Sequence, residues 1–134
     1  MDDSTTQLLE ALDEDQLEAA KQLRGPVSII AGPGSGKTRV VSHRIAYGIA
    51  LGVYDASKVL ALTYTNKAAA ELRTRLRSLG AGAVQVRTFH AAALSQLQFF
   101  WPQLTGGIAP KLVTNKHQLI RDAAETLGFK LDDS

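Results

Sequence analysis

The chain has no cysteine, which excludes a disulfide framework and any thiolate-bound metal. It also lacks a long apolar run. Crossing a bilayer takes roughly 20 consecutive apolar residues, and the longest candidate, residues 45–53, is short and carries two glycines. A secretory leader opens with basic residues before an apolar core; here the first charges are Asp2 and Asp3, so a cytoplasmic location with no membrane contact is expected. No internal repeat and no low-complexity linker is visible. His43, His90 and His117 have no partners at metal-ligand spacing, so no zinc site is expected. What remains is 134 residues, 45% hydrophobic and 21% charged, the make-up of one globular domain or a piece of one.

Acidic residues are scarce in one place and crowded in another. Residues 1–20 carry seven acids and no base, whereas residues 21–121 carry fourteen bases against Asp55 and Glu71, a net +12. A body this basic suits a polyanion, either nucleotide phosphate or a nucleic-acid backbone, although a solvated basic surface gives the same count.

Periodicity divides the chain into alternating elements. Leu8, Leu9 and Leu12 suggest a short amphipathic helix over 5–12, and Asp13 reads as the N-cap of a second helix to about residue 23. Residues 27–31, short and β-branched, read as a strand buried on both faces. A helix over 37–51 follows. The pattern then repeats, with strands at 58–64 and 83–88 and helices at 66–79, 89–101 (ended by Pro102) and 115–127 (stopped by Gly128). Strand and helix in alternation predict an α/β fold with a parallel sheet.

The sharpest signal is AGPGSGKT at residues 31–38, between an expected strand and a helix, the setting in which a P-loop match is credible. Gly32, Gly34 and Gly36, with Pro33 and Ser35 between them, let the backbone curl so that successive N–H groups face phosphate oxygens. The helix N-terminus adds its partial positive charge. Lys37 is placed to reach the β- and γ-phosphates of ATP, and the Thr38 hydroxyl to help hold Mg²⁺. Ala31 stands where the general pattern has glycine, a small departure because the other glycines keep the loop free. Hydrolysis also needs a carboxylate at the end of another strand. After the loop the acids are Asp55, Glu71, Asp122, Glu125, Asp132 and Asp133, and none ends an expected strand.

Three further stretches join the loop in order: LDEDQLEAA at 12–20, LTYTNKAAAEL at 62–72 and RTFHA at 87–91. With AGPGSGKTRVVSHRIAY at 31–47, they resemble the Q motif, Walker A motif, motif Ia and motif Ib of the UvrD/PcrA/Rep group of superfamily 1 DNA helicases. HAAA from His90 and FFW from Phe99 look most like an actinobacterial UvrD-like branch. The resemblance covers residues 12–100. It implies that Gln16 reads adenine and that Arg39 lies near the base, the latter being equally a solvent-facing helix residue. It further implies that Thr63, Tyr64, Thr65 and Asn66, then Thr88 and His90, contact single-stranded DNA. An aromatic ring at 64 offers a stacking face, against the alternative of half-buried packing. Ala91 replaces a serine of many relatives. Phe99, Phe100 and Trp101 read as packing residues, and Arg73 and Arg77 either extend a DNA track or form a solvated face.

The resemblance implies a P-loop, RecA-like parallel sheet flanked by helices in an incomplete first motor domain (residues 1–101). The start of a helical insertion would follow at 102–134. The parent would be an ATP-dependent 3′-to-5′ helicase. The Walker B acids and the second motor domain with its arginine finger are missing here, so nucleotide binding without hydrolysis or unwinding is expected of this chain. The competing readings are a non-catalytic nucleotide or single-stranded DNA module and an unrelated P-loop NTPase.

Overall fold

The structure, a computed structural model, describes residues 3–129. It divides into two compact units, one up to Leu94 and one from Ser95. The first contains helices α1 (Asp3–Glu10), α2 (Glu14–Lys21), α3 (Lys37–Ala50) and α4 (Asn66–Ser78), with strands β1 (Leu60–Thr63) and β2 (Gln85–Thr88). Helix α5 (Phe89–Thr105) begins there, and α6 (Lys116–Thr126) belongs to the second unit. No helix among the described residues is long and apolar enough to cross a membrane.

β1 and β2 pair in parallel, Leu60 opposite Gln85 and Thr63 opposite Thr88. Parallel neighbours need a crossover, and α4 supplies it. Its Ala69, Leu72 and Leu76 fall on one face and are all buried. Thr65 caps its start by accepting from the Ala68 N–H at 3.1 Å. At its end Gly80 turns left-handed (φ +78°), and the Ala81 N–H returns to the Leu76 carbonyl at 2.8 Å. Ile45 and Ala46 of α3, with Ala61, Val84 and Val86, complete the core of this unit.

Several expectations need correction. Residues 27–31 form no strand: Ile30 is 96% exposed. A buried strand needs neighbours for its N–H and C=O groups. β1 and β2 serve each other, and among the described residues no strand lies beside 27–31. β1 is likewise not buried on both faces, since Leu60 and Leu62 are exposed. Its first expected residue, Lys58, closes a 3-10 turn (Ala56–Lys58) instead.

Pro102 does not end α5, which continues to Thr105. A proline forfeits one N–H bond, and here only the last turn lies beyond it. Phe99 and Phe100 are exposed rather than packed, with rings edge to face at 4.9 Å. The helix expected over 115–127 forms as α6, capped by Asn115 and ended at Gly128 (φ +79°).

Candidate nucleotide-binding site

Residues 32–36 form a tight turn between the extended segment and α3. Ser35 closes it twice on the Gly32 carbonyl, through its N–H at 3.3 Å and its hydroxyl at 2.6 Å. Gly34 and Gly36 have φ of +74° and +80°, a region side chains disfavour. Gly36 is constrained a second time, because a Cβ there would sit 2.9 Å from Gln16 Nε2.

The N-terminus of α3 differs from those of α2, α4, α5 and α6. Side chains cap α2 (Asp13), α4 (Thr65), α5 (Thr88) and α6 (Asn115). α3 begins at Gly36 with no side-chain cap. The first N–H groups of a helix have no partner within it, and such a start binds anions. Lys37 stands at the mouth of the turn, its Nζ donating to the carbonyls of Ala31 at 2.8 Å and Gly32 at 3.1 Å. Thr38 follows, and Arg39 is exposed one residue further.

Helix α2 brings Gln16 against this turn. Asp13 and Gln16 form a reciprocal capping box: the Gln16 N–H donates to Asp13 Oδ1 at 2.9 Å and the Asp13 N–H to Gln16 Oε1 at 3.3 Å. The remaining end of the amide, Nε2, donates to the Ser35 carbonyl at 3.0 Å. A cavity of about 230 Å³ lies here, lined by Gln16, Ala31, Ser35 and Lys37 among others.

A second cavity of about 180 Å³ joins Lys37 and Thr38 to Thr63 and Glu71. Glu71 is a site neighbour the sequence reading passed over as a mid-helix acid. The signal was available: Ala68, Glu71 and Leu72 share one helix face, and all three line this cavity. Among the described residues, no three His, Asp or Glu side chains converge as a metal site. Asp55 caps the 3-10 turn, and Asp122 and Glu125 lie in α6. Asp132 and Asp133 lie outside the described residues.

The residues expected to meet DNA fall at the C-terminal ends of β1 and β2. Tyr64 is 83% exposed, which argues against half-buried packing. Asn66 and His90 are exposed. The hydroxyls of Thr65 and Thr88 cap α4 and α5, and the Thr63 hydroxyl donates to the Thr65 carbonyl at 3.2 Å. Thr88 is buried. Phe89, not expected as a contact, has its ring beside Tyr64. Arg73 donates to the Val86 carbonyl at 3.0 Å.

A family model described as the UvrD/REP helicase N-terminal domain matches residues 12–130. The ATP-dependent DNA helicase UvrD2 of Mycobacterium tuberculosis (strain H37Rv) is 45% identical over 125 residues, covering 87% of this chain and 18% of the relative. The ATP-dependent DNA helicase PcrA of Bacillus subtilis is 43% identical over 97 residues, 70% of this chain and 13% of the relative. PcrA of Staphylococcus aureus (strain Mu50) is 43% identical over 94 residues, 68% and 13% respectively. The chain therefore spans less than a fifth of the length of these relatives.

Proposed function

The chain belongs to the UvrD/REP helicase N-terminal family, and on that premise we propose that it is the ATP-binding part of the first RecA-like motor domain of a 3′-to-5′ DNA helicase. The observation that carries this reading is the uncapped start of α3 behind a glycine turn, with Lys37 at its mouth. Side chains fill the starts of α2, α4, α5 and α6, whereas the start of α3 is open and has the chemistry for phosphate.

The residues present fit ATP with Mg²⁺. The turn and the first N–H groups of α3 take the phosphates. Lys37 exchanges loop carbonyls for phosphate oxygens, and the Thr38 hydroxyl supplies a metal ligand. Bound Mg²⁺ would screen phosphate charge. Gln16 and Arg39 flank the base, Gln16 offering a donor and an acceptor to the edge of adenine. Single-stranded DNA lies across Thr63, Tyr64, Thr65, Asn66, Thr88 and His90, and a cytoplasmic location goes with this reading. Residues 102–134 begin a helical insertion.

Nucleotide titration tests the phosphate assignment. Lys37→Ala should weaken ATP binding at least about tenfold, since charge-assisted contacts are the strong ones. Unchanged affinity would remove the phosphate loop from this reading.

A further inference from the structure

Helix α2 has only eight residues, about 12 Å of helix, and a slender apolar footing. Ala20 is buried and Leu17 half-buried. Its N-terminal end is tied to the phosphate turn by Gln16. The chain just past its other end is held by two side chains from distant parts of the sequence. Arg44 Nε, on α3, donates to the Gln22 carbonyl at 2.8 Å, and the Tyr54 hydroxyl donates to the Leu23 carbonyl. Gln22 is the C-cap of α2 and Leu23 the next residue, so these donors fix the chain as it leaves the helix.

Gly48 makes room for the clasp. A Cβ built there would overlap the Tyr54 ring, so the ring packs on bare backbone. The Gly48 carbonyl accepts from the N–H groups of Val53 at 2.9 Å and Tyr54 at 3.0 Å, which fixes the turn that carries the ring. Arg44 and Tyr54 thus bind α2 to α3, the helix whose N-terminus forms the phosphate site.

We propose that Arg44 and Tyr54 are positioning residues for base recognition: by clasping the end of α2 they hold Gln16 over the phosphate turn. The role rests on the reading that Gln16 faces adenine. A rod fixed at both ends keeps its register against α3. Released at the Leu23 end, it pivots about Ala20 and carries Gln16 away from Ser35. Phosphate contacts are made by residues 32–38 themselves rather than by α2.

The test is nucleotide selectivity in the full chain. Arg44→Met keeps the side-chain stem and removes the donors; Tyr54→Phe keeps the ring on Gly48 and removes the hydroxyl. The double variant should lose about fivefold or more of the preference for ATP over GTP, the scale of one net hydrogen bond, while tripolyphosphate binds as before. Hydrogen exchange should rise at the amides of Glu14–Lys21 and stay unchanged in α4, which shows that the fold persists. An unaltered ATP-to-GTP ratio in the double variant, with the preference abolished by Gln16→Ala, overturns the positioning role and leaves base reading intact. If Gln16→Ala keeps the preference, base reading is what fails. Slow exchange of α2 in the double variant would overturn the clasp itself.

Discussion

The rings of Tyr64 and Phe89 lie with centroids 5.0 Å apart and planes inclined at 38°. Their meeting follows from strand register. Thr63 stands opposite Thr88 in a parallel pair, so the residue after each strand leaves the sheet at the same edge. Both rings are exposed, at 83% and 44%, and an exposed aromatic ring is a surface on which a base can stack.

Binding to single-stranded DNA should therefore weaken by about 1–3 kcal/mol in Tyr64→Ala, the range for loss of one base–aromatic stack. Phe89→Ala should weaken it less, through loss of support to the Tyr64 ring. Affinity should fall steeply with salt, as the basic body between residues 21 and 121 requires. Fluorescence anisotropy with a labelled oligonucleotide reads all three; an unaltered affinity in Tyr64→Ala would reduce the pair to surface packing.

The isolated chain should bind ATP and turn it over negligibly. No described acid ends a strand, the position at which hydrolysis needs a carboxylate. Glu71 is the acid to watch, because it shares a cavity with Lys37 and Thr38. A steady-state phosphate-release assay with and without single-stranded DNA decides. Robust turnover abolished by Glu71→Gln would make that residue the missing carboxylate.

Two apolar substitutions should separate cleanly in stability. Leu76 is 1% exposed in the core, and Leu76→Ala should lower unfolding free energy by about 2–5 kcal/mol. Ile30, 96% exposed, should change it by no more than about 0.5 kcal/mol when replaced by alanine. Chemical denaturation of both variants provides the comparison.

The Asp55 carboxyl is held below the ordinary aspartate range, first by the Ser57 hydroxyl, then by the Ser57 N–H, with Lys58 adding less. A depressed folded-state pKa contributes stability that is present above the unfolded-state value and lost as pH falls through the folded-state value. Ser57→Ala should move the Asp55 titration upward, towards the ordinary value, in a carboxyl-detected NMR titration. An unmoved midpoint would assign the depression to the Ser57 N–H and Lys58.

Local signals were legible where local chemistry decides the outcome. Asp13 caps α2, Gly36 leads into α3, Thr65 precedes α4 and Gly128 stops α6, each a matter of one or two residues. Residues 27–31 misled because an apolar, β-branched run states a preference that only neighbouring strands can satisfy. Pro102 misled because its effect depends on how many turns remain beyond it. The Gln16–Ser35, Tyr64–Phe89 and Tyr54–Leu23 contacts join residues 19 to 31 apart, and periodicity is silent at that range.

Arg73 gives the small sheet a direction. The Gln85 N–H pairs with the Val59 carbonyl, so β2 faces β1 with alternate residues and turns the Val86 carbonyl to its outer side, where the Arg73 guanidinium takes it. That side carries an end-stop made of charge. Leu60 and Leu62 of β1 are exposed. The outer edge of β2 is thus partly closed by a side chain that reaches back from the crossover helix.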